Sequence, residues 1–250
     1  MSVLSKFRRQ LSSHLFPLRE TEVDMAYNMW SSDYDTQPDN LMLAFDEATF
    51  AELIAKVDFQ SKTIADIGCG TGRHWEKMYA KHPERLIGYD VSDGMLQVLT
   101  KKFPNSESYL LKSNVLETLE NKGCDIIIST LAIAHIKDIE GAFAEWNRIL
   151  RKDGHIIITD YHPEALLKGG NRTFTHNGKL IAVKNYIHSI EKIRDISNKL
   201  GFKFEVFGEK VIDESVKHYY EKQNAVNVYE RFKGTPIIYG AHLTRTDAAE

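Results

Sequence analysis

The chain has 250 residues, of which 42% are hydrophobic and 27% charged, and a formal net charge of −3. These values suit one large globular α/β domain with additions and exclude a bulk attraction to nucleic acid. Two cysteines, Cys69 and Cys124, cannot build a disulfide framework and fit a reducing, cytoplasmic setting, and no apolar run approaches the roughly 20 residues of a membrane span.

Val3, Leu4, Phe7, Leu11, Leu15 and Phe16 are spaced for an amphipathic N-terminal helix. Lys6, Arg8, Arg9 and Arg19 precede the first acid, Glu20, a composition shared with organelle transit peptides. Tyr27, Trp30 and Tyr34 follow at i, i+3 and i+7, which predicts one helix face for all three. Beyond residue 60, apolar runs at about 63–67, 85–89, 108–111, 124–130 and 155–161 read as strands alternating with helices, hence a mostly parallel sheet covered on both faces. Residues 138–150 set Ile139, Ala142, Phe143, Trp146 and Ile149 at helical spacing. A hairpin is expected over 173–181, turning at Asn177-Gly178, and a helix over 189–200 stopped by Gly201. Residues 202–207 and 236–243 read as the last two strands. Segments 1–50, 162–187 and 211–235 stand outside this rhythm.

The most telling stretch is the strand-turn-helix at 63–73, which carries Asp66, Gly68, Cys69, Gly70, Gly72 and Arg73. Asp90 closes the next strand, where a carboxylate can take the two hydroxyls of a ribose. A dinucleotide corner has glycine or alanine at the position of Arg73, so that helix and strand pack closely, and it sets a pyrophosphate on the helix N-terminus. The spacing here is G-x-G-x-G, with an acid two residues ahead of the first glycine. That suits a ligand without phosphate, bearing a ribose at one end and an ammonium at the other, as S-adenosylmethionine does.

Residues 64–72, 86–96, 113–115, 124–135 and 148–158, taken in order, resemble the sequence motifs of class I S-adenosylmethionine-dependent methyltransferases acting on small molecules. The likeness covers about residues 50–163. It implies a Rossmann-like, seven-stranded, mostly parallel sheet with helices on both faces and the last strand antiparallel, in a closing pair set against the rest. A helical cap over 1–50 and a methyltransferase domain over 51–250, with lid segments at about 162–187 and 211–235, complete the expected layout. S-adenosyl-L-methionine, leaving as S-adenosyl-L-homocysteine, is the expected cofactor. The resemblance assigns to it Asp66, Gly68, Cys69 and Gly70 at the corner, Asp90, Val91 and Met95 at the ribose and adenine, and Asn114, Val115 and Thr130 beyond. Asn114 stands where the family usually has an Asp beside the adenine amino group. Tyr27 and Tyr34 belong to an entry pattern whose helix closes over the cofactor; an aromatic core stripe is the other reading.

Methyl transfer needs the acceptor atom about 3 Å from the methyl group, water excluded, and a proton removed where the acceptor carries one. His135 follows the fourth strand and is the candidate general base, or else a positioning residue. Tyr161 and His162 end the fifth strand, and with Trp30 they are the candidate substrate contacts. Leu166, Leu167, Phe174, Tyr186, Tyr219 and Tyr220 are expected to form an apolar acceptor cavity. No histidine–carboxylate set has metal spacing, so no metal is predicted. The expected partner is a small-molecule acceptor, not nucleic acid, and the chain is expected as a monomer or homodimer. A nucleic-acid or protein methyltransferase would carry an Asn/Asp-Pro-Pro-aromatic turn where this chain has Ser129-Thr130-Leu131-Ala132. A non-catalytic scaffold is a third reading, which the intact glycines, Asp66 and Asp90 oppose.

Overall fold

The computed structural model describes residues 20–37 and 39–245. The apolar stripe between Val3 and Phe16 therefore lies outside the described residues.

The main sheet is built from β2 (Thr63–Ile67), β3 (Arg85–Asp90), β4 (Glu107–Leu110), β5 (Cys124–Thr130), β6 (Leu150–Tyr161), β9 (Phe202–Val211) and β10 (Pro236–Arg245). Its order is β4-β3-β2-β5-β6-β10-β9, so the chain starts mid-sheet, works to one edge and returns to the other. All five residues of β2 are buried, as expected of a central parallel strand covered on both faces. Alternation along the strands divides the core into two layers. Ile127, Ile156 and Ile158 face the helices α5 (Ile139–Ile149) and α7 (Ile190–Lys199), packing with Phe143, Trp146 and Ile193. Ile126, Ile128 and Ile157 face the other way, onto Phe50, Leu53 and Trp75. Helix starts are fixed by side chains that accept an otherwise unpaired N–H: Ser92 from Met95, Asp138 from Gly141, and Ser189 from Lys192.

The last strand is antiparallel, as expected, but its partner in the closing pair is not set against the rest. β10 lies antiparallel to both β6 and β9, pairing Ile238 with Tyr161 and Ala241 with Phe207. Only the last strand is reversed, and β9 runs with the parallel set. β9 also continues to Val211, beyond the expected 207, because the ten-residue β10 offers it a partner along that length.

A second, three-stranded sheet has the order β1 (Glu20–Thr21), β8 (Lys179–Val183), β7 (Thr173–His176). The expected hairpin turns at Asn177 and Gly178, both with positive φ (47° and 73°). Between this sheet and the main one lies α1 (Val23–Trp30), which stops at Trp30. Tyr34 is thus reached through turns and not on the same helix, a correction to the i, i+7 reading. Its ring nevertheless meets those of Trp30 and Tyr27, at 5.1 and 6.1 Å. The expected boundary at residue 50 falls inside α2 (Leu41–Ile54), whose Phe50, Leu53 and Ile54 belong to the core of the main sheet.

Candidate active site

The glycine corner follows from backbone geometry. Gly68, Gly70 and Gly72 have φ of 79°, 54° and 70°, values that side-chain-bearing residues rarely adopt. A Cβ on Gly68 would lie 2.5 Å from that of Ala132, so the turn after β5 packs directly on the corner. A Cβ on Gly70 would project into open space. Asp90, at the tip of β3, accepts from the N–H of Gly70 and of Ser92, both at 2.8 Å. Burial pushes its carboxyl up to about 6. Asp66 lies buried beneath the corner, with Oδ2 accepting from Trp75 Nε1 at 2.8 Å and Oδ1 without a hydrogen-bond partner. Burial raises it to about 7.

These elements open onto a cavity of about 820 Å³ at the C-terminal ends of the parallel strands. Of the residues named from sequence, Gly68, Gly70, Asp90, Val91 and Met95 line its corner side, and Asn114, Thr130, His135, Tyr27 and Tyr34 line the rest. The side chain of Asn114 donates to the carbonyl of Asp138 at 3.1 Å, which fixes the amide at the cavity edge.

Other expected contacts lie off the cavity wall. Asp66 and Cys69 face the core beneath the loop, and Cys69 fills the space over Gly88. Val115 points outward, 53% exposed. Trp30 is buried flat against Phe174, ring centroids 4.6 Å apart, as a core residue. Tyr161 is buried beneath α6 (Pro163–Leu167) with its hydroxyl at Gly170. His162 caps α6: its Nδ1 accepts from Glu164 N, leaving Nε2–H to donate to Glu209 at 3.1 Å. Trp30, Tyr161 and His162, expected as substrate contacts, thus do not line the cavity and are held by packing and capping within the protein. The expected apolar acceptor wall fares similarly. Leu166 and Phe174 are core, Leu167 is 71% exposed, and Tyr219 and Tyr220 pack on the cluster around Tyr229, leaving Tyr186 alone on the cavity.

His135 ends a short 3-10 turn, Ile133–His135. Its Nδ1 lies 2.9 Å from the carbonyl of Lys184, which can only accept, so the proton is on Nδ1. Nε2 then accepts from the Tyr27 hydroxyl at 2.9 Å. Burial, reinforced by the charge of Arg172, lowers the imidazole to about 3. The expectation of a histidine near its ordinary pKa is thereby corrected: the ring is neutral and its acceptor nitrogen is already engaged.

Three buried charged residues escaped the sequence reading. Asp160 accepts from the N–H of Ala134 at 2.7 Å and of Tyr161 at 2.6 Å, holding the turn that carries His135. Asp46, on α2, takes Arg73, His74 and Thr159 together; burial works against its charge, but His74 and Arg73 outweigh it and lower its pKa. Arg172, just ahead of β7, lies among the rings of Tyr27, Trp30 and Tyr34 at 5.7, 5.7 and 5.9 Å. None sits in a motif; each is defined by what it meets far away along the chain. Among the described residues no group of three or more metal-ligating side chains occurs.

The topology, glycine corner and terminal carboxylate define a Rossmann-like nucleoside site without the dinucleotide signature. Comparison with known proteins agrees. Residues 65–158 match the family described as "Methyltransferase domain". A ubiquinone/menaquinone biosynthesis C-methyltransferase, UbiE, of Campylobacter jejuni is 34% identical over 104 residues, 39% of this chain and 44% of that protein. A malonyl-[acyl-carrier protein] O-methyltransferase of Hahella chejuensis is 30% identical over 107 residues, 42% of this chain and 38% of that protein. The chain thus spans less than half the length of these curated relatives. A solved S-adenosylmethionine-dependent methyltransferase from Mesorhizobium loti shares the fold, with a TM-score of 0.62 at 17% identity over 79% of this chain and 98% of its own. Residues 65–158 therefore match a methyltransferase domain, and the fold is that of solved S-adenosylmethionine-dependent methyltransferases.

The residues present fit that cofactor. Asp90 offers a carboxylate to a diol, the missing Cβ of Gly70 leaves room for a ligand, and the unpartnered Oδ1 of Asp66 suits a nearby cation.

Proposed function

We propose that this chain transfers a methyl group from S-adenosylmethionine to an oxygen or carbon of a small, partly hydrophobic organic acceptor. The observation that carries the reading is one continuous cavity, about 820 Å³, running from the Gly68–Asp90 corner to Tyr27, His135 and Tyr186. That volume lies within the range of small-molecule sites and leaves space beside a nucleoside. When bound, the cofactor supplies a sulfonium-activated methyl group, so the protein's task is positioning and exclusion of water.

Asp90 holds the ribose, Val91 and Met95 face the adenine, and Asn114 and Thr130 border it. Gly68 and Gly70 admit the cofactor's amino-acid end at the corner, above the buried Asp66. Tyr27 and Tyr34 cover the cavity from α1 and the turn after it. His135, neutral and locked between Lys184 and Tyr27, orients the wall at the acceptor end. A base with its lone pair already engaged and its pKa near 3 is poorly matched to proton removal at pH 7. A positioning role accounts better for its geometry. The names of the two curated relatives, one C-directed and one O-directed, support both target atoms.

The deciding experiment incubates the purified chain with methyl-labelled cofactor and a metabolite extract, read by mass spectrometry. A labelled low-molecular-weight product is expected. Label found only in protein or nucleic acid, or stabilisation by NADH and not by S-adenosylhomocysteine, overturns the reading.

A further inference from the structure

We propose that Asn28 is a positioning residue for the cofactor: from the covering helix α1 it holds the loop that presents Asp90 to the ribose. The inference rests on the methyl-transfer reading above. Asn28 is exposed and does not line the cavity. Its side-chain oxygen lies 2.8 Å from the N–H of Gly94 and 2.8 Å from the Ser92 hydroxyl. A backbone N–H can only donate, so the atom facing Gly94 is the oxygen, and Ser92 must donate to it as well. The Ser92 oxygen in turn accepts from the N–H of Met95 at 3.1 Å. These groups form the cap and first turn of α4 (Asp93–Lys102). A helix start leaves its first N–H groups unpaired, and here a side chain of another helix takes one of them.

The close approach is built into the backbone. A Cβ on Gly94 would lie 3.3 Å from the Cα of Asn28 and 2.8 Å from the Ser31 hydroxyl, so α1 packs directly on the start of α4. From Ser92, which is fully buried, the contacts run inward. Its N–H donates to Asp90 Oδ1, while Asp90 Oδ2 accepts from Gly70, both at 2.8 Å. The other side of Asn28 is fixed too. Tyr27, the preceding residue, projects about 100° around the helix and donates its hydroxyl to His135 at 2.9 Å. Adjacent residues of α1 thus grip the loop after β3 and the turn after β5, strands that flank β2 in the sheet. Without Asn28, Ser92 and Gly94 lose their shared acceptor, and a looser loop must be ordered when the ribose binds.

Calorimetry with S-adenosylhomocysteine on the whole chain tests this. Asn28→Leu removes the acceptor at similar size, and Asn28→Asp keeps an acceptor oxygen in place. Asn28→Leu should weaken binding about threefold to tenfold, and Asn28→Asp should recover most of that loss. Because Asn28 acts through the Asp90 loop, the same substitution made in Asp90→Ala should change affinity by less than about twofold. A residue that merely supports the fold would give the full factor in both backgrounds. Unchanged affinity in Asn28→Leu, a loss that Asn28→Asp does not recover, or the full factor in Asp90→Ala overturns the proposal. Should circular dichroism show Asn28→Leu unfolded, Gly94→Ala, which keeps Asn28 but wedges α1 from α4, carries the same comparison. A native chain that does not bind S-adenosylhomocysteine sinks the methyl-transfer reading itself; one that binds it no better than folded Asn28→Leu sinks this inference alone.

Discussion

Asp90 serves the corner twice, by fixing the N–H groups of Gly70 and Ser92 and by presenting its carboxylate to the cavity. Asp90→Ala should weaken S-adenosylhomocysteine by about 1–3 kcal/mol in calorimetry, through an unpaired ribose diol and a loosened loop. Its raised pKa gives the binding a pH dependence with a definite sign. Burial lifts it from 3.8 to about 6, so the ligand-free folded chain holds this proton more tightly than the unfolded one. The stability this contributes is full below the unfolded value and is lost as pH rises through about 6. The carboxylate form, the better acceptor for two hydroxyls, prevails above that point. Affinity should accordingly be about tenfold lower at pH 5 than at pH 7.5, and Asp90→Asn should flatten the profile. His135 shows the reverse shift, burial lowering it to about 3. Turnover should therefore show no inflection from this ring near pH 6.5, and His135→Ala should reduce turnover while leaving cofactor affinity intact. An inflection near 6.5 that vanishes in His135→Ala would restore the general base.

At the level of elements, what could be read in advance was what short stretches of chain decide. The corner was legible because positive φ and a missing Cβ are demands on single residues, and Gly68, Gly70 and Gly72 meet them within five positions. The Asn177-Gly178 hairpin and the helix stop at Gly201, with φ of 78°, were legible for the same local reason. What escaped depends on distant meetings. Tyr27 and His135 are 108 residues apart, and Arg172 and Tyr34 are 138 apart. Tyr161 and His162 do end the fifth parallel strand. However, α6 and the helix Val226–Phe232 fill the space above them, with Leu166 and Phe232 in one cluster. Trp30 is the instructive case, since burial against Phe174 makes it a packing residue. Trp30→Ala should cost about 3–5 kcal/mol in urea unfolding, as expected for removing a large buried ring. A loss below about 1 kcal/mol would mean that the hairpin sheet does not depend on this stack.

Over the whole molecule, the cavity lies between two bodies of unequal cohesion. The floor is the seven-stranded sheet, where Ile126, Ile127 and Ile128 of β5 are fully buried between β2 and β6. The cover is α1 with the three-stranded sheet, whose first strand pairs with β8 through Glu20 and Thr21 among the described residues. It is held together by Trp30 on Phe174 and by the N–H of Lys184 on the carbonyl of Thr21 at 3.0 Å, and it reaches the floor through Tyr27 on His135. Few buried apolar contacts behind exposed backbone bonds make such a unit open before the rest. Native-state hydrogen exchange should therefore find the amides of β7, β8 and Lys184 opening at a cost at least about 2 kcal/mol below that of β5, a factor near 30 in rate. The ligand bridges floor and cover, so it must oppose every opening that dismantles the cavity. S-adenosylhomocysteine at 100 times its Kd should add about 2.7 kcal/mol to those openings, slowing exchange in the cover as well as the corner. Equal protection of cover and β5 without ligand would show that the two bodies unfold as one. Slowing confined to the corner would show that the cover takes no part in holding the cofactor.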